Sequence, residues 1–236
     1  MKNQLPHQAS ISSKLAVFAL VNTLLVVSAL GALPTISVNF EGGNAAGAPT
    51  QLLPTDVAGL IPLPNWNNLN GNNVHNVVLN DSNGTPTAVT IFFDADESWG
   101  SGTGTATPDR KMFNGYLGIS NDGNYRPVFL NNVPNGAYKL IMYNVRDGQE
   151  NQAYTVNADV LNTLHIRHQG PAEYADAFVR GSSTNPNARD LCNYVQFDQV
   201  QPINGTITID CRAEAFRGIM NAGSGTGKRT SEACAP

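Results

Sequence analysis

The chain is poor in charge: Lys+Arg 14 and Asp+Glu 18 make 14% charged residues and a net charge of -4 over 236 residues, well below the roughly 25% of an ordinary soluble protein. Phosphates are neutralised by clustered Lys and Arg, and the few here are scattered, which excludes a nucleic-acid partner. Histidine is scarcer still, at four residues, one of them His7 near the N-terminus. His165 and His168 stand in HIRH; at strand period they fall on opposite faces, so they hold no metal together and read as exposed strand-edge residues. There is no CxxC, no GxSxG, no Walker-type loop and no GxGxxG opening a helix, and the glycines of GSGTGT at 100–105 lack a following helix to offer a phosphate. No acid/base pair is assembled by these residues, so the expectation is a protein that is not an enzyme.

What replaces charge is Asn, Gly, Thr and Ser, alongside 41% hydrophobic residues. That is enough apolar surface to fold, with turn formers typical of secreted all-β proteins. From Thr35 onward the apolar period is 2 and not 3.6. This predicts an all-β fold, a single β-sandwich or jelly-roll-like domain of about eight to ten strands, with an N-terminal arm. HNVVLNDSNGTPTAVTIFFDA reads as a hairpin, with Val89, Ile91 and Phe93 on one face of its second strand. RPVFLNNVPNGAYKLIMYNV reads as another, around VPNG. Further strands are expected at Ala153–Asn157, Thr163–Arg167, Asn193–Phe197 and Thr206–Cys211, and a short helical turn around Arg110–Phe113. The organisation expected is an apolar N-terminal segment at 1–33, a strand and Gly/Ala-rich tether at 34–50, the sandwich at 51–212 and a polar Gly/Ser-rich tail at 213–236.

Leu15 to Ala32 carry no charge and follow Lys2 and Lys14, the layout of a signal peptide, with cleavage expected after Ala29. A membrane span is the rival reading, although no Lys or Arg stop follows. Export brings an oxidising compartment, in which two of Cys192, Cys211 and Cys234 are expected to pair. Asn80, Asn83 and Asn204 head Asn-x-Ser/Thr sequons and are candidate glycosylation sites. Asp94, Asp96 and Asp109 belong to the densest acidic group and are candidate Ca²⁺ ligands, but DADESWGSGTGT lacks the Glu at the twelfth loop position, and no other cofactor is expected. Trp66, Trp99, Tyr116 and Tyr125 lie in loop-like sequence. Trp66 and Trp99 are candidate sugar-stacking residues, the plainer reading of Trp66 being a plug at one end of the sandwich.

The order ISVNFEGG, LLPTDVAGLIPLPNWNNLNG, SWGSGT, DRKMFNGYLG, NNVPNGAYKLIMYN, NYVQFDQV and AFRGIMNA resembles a family of secreted bacterial β-sandwich domains. The resemblance covers nearly all of the chain after Leu33. It extends to subunits of pilus-like extracellular fibrils, in which an N-terminal strand of one protomer completes the sandwich of another, and it implies no catalytic residues. Family members tend to close with an alternating apolar strand after the AFR block, whereas here GIMNAGSGTGKRTSEACAP turns polar. The resemblance therefore implies a self-assembling subunit of a cell-surface filament, with copies of itself and the export machinery as partners. Ile36, Val38 and Phe40 alternate on the face of the expected donor strand. The alternative is a monomeric carbohydrate-binding or adhesive module with glycan partners, which the loop tryptophans favour.

Overall fold

The computed structural model describes residues 33–42, 50–120, 127–214 and 217–228. In chain order the strands are β1 Ile36–Phe40, β2 Asn67–Leu69, β3 Asn73–Asn80, β4 Pro86–Asp94, β5 Glu97–Gly100, β6 Gly115–Ser120, β7 Val128–Asn131, β8 Ala137–Tyr143, β9 Asn151–Val156, β10 Leu164–His168, β11 Arg180–Gly181, β12 Asp190–Cys192, β13 Tyr194–Val200, β14 Ile207–Ala213, β15 Arg217–Met220 and β16 Ala222–Lys228. Among the described residues one α-helix, α1 Pro108–Asn114, accompanies them, capped by Thr107 and started by proline, as the first helical turn prefers. The fold is all-β and sandwich-like. A six-stranded sheet runs β11-β13-β8-β16-β1-β2, a seven-stranded sheet β12-β10-β9-β14-β7-β4-β3, and a smaller sheet β15-β6-β5. Among the described residues no helix is long and apolar enough to cross a membrane.

The main core lies between the two large sheets, where Val38 and Phe40 of β1 meet Ile91 and Phe93 of β4 and Leu140 and Met142 of β8. Phe40 and Phe93 pack edge to face with centroids 5.3 Å apart. The six-stranded sheet is buried on its other face as well. There Ile141 and Tyr143 of β8, with Tyr194 and Ala222, pack against Leu52, Trp66, Phe113 and Tyr174, which accounts for the unbroken apolar run LIMY at the end of β8. Lys111 and Asp56 at 2.8 Å, and Arg110 and Asp176 at 2.7 Å, pin α1 to the segments beside it.

Four expectations need correction. Among the described residues the strands number sixteen, because several are too short to leave a periodic signature. The expected VPNG hairpin is a crossover. β7 pairs with β4 and β14 in one sheet, while β8 pairs with β13 and β16 in the other, so the turn carries the chain across the core. Its apolar flanks, which resembled hairpin arms, are apolar because both strands face the same interior. The β3–β4 hairpin does form, closed by Asp81, whose carboxylate accepts from the backbone of Asn83 and Thr85 at 2.9 Å each.

The polar C-terminal stretch is no tail, since residues 222–228 form β16 in the middle of the six-stranded sheet, between β8 and β1. A strand flanked on both sides is held by backbone hydrogen bonds whatever its side chains. Gly223, Gly225 and Gly227 stand opposite Met142, Leu140 and Tyr138, so the core-facing positions of β16 carry no side chain. An apolar cavity of ≈ 60 Å³ lies beneath, bounded by Val38, Leu140, Met142, Met220, Gly223 and Gly225 among others. Lastly, His168 is not an exposed edge residue but fully buried. His165 does lie on the opposite face, where its Nδ1 meets Glu214 at 2.8 Å.

Candidate functional site

The smallest sheet gathers a group of chemically able side chains. Trp99 of β5 and Tyr116 of β6 are direct cross-strand partners, as are Glu97 and Gly118, so Glu97, Trp99 and Tyr116 share one face, with the Trp99 and Tyr116 Cβ atoms about 5 Å apart. Gly118 is required here, because a Cβ at that position would come within 2.6 Å of the Glu97 side chain. Trp99 is 49% exposed, a large aromatic surface held on a paired strand. Tyr116 is buried beneath, and burial pushes its phenol up to about 12, against the pull of a hydrogen bond with Arg146.

Arg146 follows the end of β8 and brings the second half of the group. Its guanidinium stands 6.0 Å from the Tyr116 ring centroid. Its Nε donates to Asp147 at 3.0 Å and its Nη1 to Glu150 at 2.5 Å. Burial works against this charge, but Tyr116, Glu150 and Asp147 outweigh it, so the guanidinium holds its proton even more firmly than usual. The Arg146 side chain is only 10% exposed, whereas that of Asp147 is 54% exposed. Behind them lies His168, whose ring nitrogens reach no hydrogen-bond partner at good geometry. Burial first, and the Arg146 charge second, depress its pKa to about 4, so at neutral pH it is uncharged. The group therefore offers one exposed aromatic face, one exposed carboxylate and a rigid buried support. Trp99 can stack on a flat apolar ring face, and the Asp147 carboxylate can accept hydrogen bonds.

The other candidate residues are placed elsewhere. Ile36, Val38 and Phe40 sit in β1, paired within this chain to β16 on one side and β2 on the other. Trp66 is 5% exposed and donates its indole N–H to the Leu63 carbonyl at 2.7 Å, packed near Tyr143 in the second cluster, so its ring is not open to a ligand. Tyr116 is in a strand and not a loop. Asp94 accepts from the Asn73 amide at 3.0 Å and Asp109 from the Gly59 backbone at 2.8 Å, while the backbone N–H of Asp96 donates to the Gly118 carbonyl. Among the described residues no three His, Cys, Asp or Glu side chains converge as metal ligands. Asn80, Asn83 and Asn204 are all exposed.

Cys192 and Cys211 are both buried. They lie on β12 and β14, with β10 and β9 between, so three strand spacings, roughly 14 Å, separate their backbones. A disulfide needs Cα atoms within about 7 Å, so this pairing is closed to them. Cys234, Tyr125 and the N-terminal apolar segment with its cleavage position lie outside the described residues.

The sequence reading reached Trp99 and named Tyr116, though as a loop residue, but missed Arg146. Arg146 carries the one local signal, a cation followed at once by Asp147 directly after an apolar strand; its meeting with Tyr116 across thirty positions of chain comes only from the fold.

No protein-family model matches the chain, and no curated protein matches it. Among solved structures it is similar to a calcium-binding mutant of Bacteroides uniformis beta-glucuronidase 2, at 10% identity and TM-score 0.47 over 82% of this chain and 18% of that one. The same enzyme covalently bound to cyclophellitol-6-carboxylate aziridine gives 10% identity and TM-score 0.44, over the same shares of the two chains. The chain thus spans less than a fifth of these structures, and their activity is not carried over to it.

Proposed function

We propose that this sandwich is a carbohydrate-binding or adhesive module that acts by binding and not by catalysis. The observation that supports the reading is Trp99, half exposed on a strand and flanked by the Tyr116, Arg146 and Asp147 group. A sugar ring has an apolar C–H face that stacks on indole, so an exposed tryptophan held on a paired strand matches it. Export through the N-terminal apolar segment to the cell surface belongs to the same proposal. A glycan array probed with the purified protein tests it. Binding to at least one glycan is expected, with Trp99→Ala weakening it about tenfold or more, equivalent to roughly 1.4 kcal/mol. Binding that survives Trp99→Ala unchanged would remove this site from consideration.

A second reading is the pilus-like filament built by strand donation. It is favoured by the way β1 is held. Val38 and Phe40 are buried in the main core, and the Gly/Ala-rich stretch around 43–49 joins the strand to the rest of the chain. The same contacts could be supplied by the corresponding strand of a neighbour, each copy passing its own strand onward. Electron microscopy of the native protein tests this reading: filaments support it, and monomers at high concentration oppose it.

A further inference from the structure

We propose that the end of the sandwich at which β8 begins binds a second copy of this chain, with Val160 and Leu161 of each copy entering a hollow beside Ile203 of the other. This surface stands apart from the Trp99 face, because Arg146 follows the opposite end of β8. Three connections are tied together here. In the crossover from β7, the Val133 N–H donates to the Gly205 carbonyl at 2.8 Å, and Thr206 and Asn131 meet through their side chains at 3.2 Å. Asn157, which follows β9, donates its backbone N–H to the Thr208 carbonyl at 2.8 Å and accepts from the Thr208 N–H at 2.9 Å. Its side-chain amide donates to the Gln201 carbonyl at 2.7 Å.

This firm base carries aliphatic side chains outward: Val160 is 72%, Leu161 86% and Ile203 58% exposed. The turn that holds the first two is fastened by Asp159, whose carbonyl and carboxylate accept from the backbone and side chain of Asn162 at 3.1 and 2.6 Å. The Val160 N–H donates to the Ala158 carbonyl at 3.0 Å. Ala158 in turn lines a hollow of ≈ 200 Å³ with Asn157, Ile203, Thr206 and Thr208. Knob and hollow therefore lie side by side, the arrangement that a two-fold axis between copies makes self-complementary. Side chains presented on a fastened turn also lose little freedom on docking.

Two further observations agree. Among the described residues eight that are not glycine have left-handed backbone, and five of them, Asn132, Asn157, Ala158, Gln199 and Asn204, stand at this end; such strain gathers where a surface is shaped for contact. Asp159 is the one charged residue in 131–136, 157–163 and 201–206. Two copies thus meet with little repulsion, and no Lys or Arg of these connections draws the tip to an anionic lipid surface.

Sedimentation velocity of the full chain from roughly 1 μM to 1 mM, the range of weak contacts, tests the proposal. A concentration-dependent dimer is expected, and Leu161→Asp, at a fully solvated position, should weaken it about tenfold or more while leaving the thermal midpoint of the monomer unchanged. Leu161→Lys and Ile203→Asp should each be monomeric alone and should pair when mixed, because the two substituted positions face one another across the axis. A monomer at every concentration overturns the proposal, as does self-association that Leu161→Asp leaves intact or a mixture no more associated than its parts. A glycan found on Asn204 of the native protein also overturns it, since it would stand over Ile203. Binding to phosphatidylcholine vesicles that is lost in Leu161→Asp, by a protein that stays monomeric, would assign the tip to lipid instead.

Discussion

Val38 of β1 and Gly223 of β16 stand directly opposite one another in the six-stranded sheet, and the core between the sheets receives a side chain from the first and none from the second. The ≈ 60 Å³ cavity lies where the missing side chains would be, at a cost of roughly 1.4 kcal/mol for a void of that size.

Gly223→Ala is therefore expected to stabilise the protein. A Cβ there would find its nearest neighbour, the Ile141 carbonyl oxygen, at an ordinary 3.5 Å, and replacing glycine inside a strand contributes about 0.5 to 1 kcal/mol. Gly227→Ala should act in the opposite sense, because its Cβ would fall 2.6 Å from Leu33 and Tyr138, an overpacking that costs about 1 to 3 kcal/mol. Denaturant unfolding of both variants checks the pair. Equal effects of one sign would show that the cavity and the crowding have been misplaced.

His168 should make stability fall in acid. Its folded pKa is depressed to about 4 from the ordinary 6.5, so the unfolded chain takes up the proton first. The stabilisation is complete above pH 6.5 and is lost as pH drops toward 4, amounting to roughly 3 kcal/mol. Unfolding free energy measured from pH 7.5 to 4 should slope downward over that window. His168→Leu should flatten the slope, and a wild-type curve already flat there would refute the assignment.

The β1 strand is expected to be indispensable to the monomer. Val38 is 6% exposed, and a buried carboxylate without a partner costs several kcal/mol, so Val38→Asp should abolish cooperative unfolding, as should deletion of residues 34–40. A peptide spanning residues 33–42, added to the deletion variant, should restore the fold. Restoration is also what strand donation requires, whereas a folded monomer of either variant would make β1 dispensable.

The cysteines give a chemical prediction. Burial, with Asp190 adding to it, pushes the Cys192 thiol up to about 12, which leaves almost no thiolate at neutral pH. Alkylation of unreduced native protein should spare Cys192 and modify it on unfolding. A disulfide-linked peptide joining Cys192 to Cys211 in a digest would contradict the strand order.

The all-β class and the β3–β4 hairpin were legible because alternation and an Asp/Asn/Gly turn are local signals. So was Trp99, since an aromatic among Gly, Ser and Glu has little around it to hide in. The crossover at VPNG was not, because apolar arms around a turn look alike whether they join one sheet or two. Neither was β16, because side-chain period is the only strand signal a sequence offers and this strand is alternating glycine. Arg146 and Tyr116 lay beyond reach for a third reason, being brought together only when β6 settles beside the end of β8.

The position of β16 also governs the order of assembly. Of the six strands in its sheet, β1 and β2 are joined to β8, β13 and β11 solely through this strand, which is the last described element of the chain. On a ribosome delivering about 5 to 20 residues per second, the two halves of the sheet exist for seconds before the strand that seals them is made. Both carry unpaired edges and uncovered apolar faces during that interval. Folding must therefore wait on the C-terminal residues and proceed through contacts of very long range, which is intrinsically slow. A chain of this design keeps its sheet edges open until residue 228 arrives.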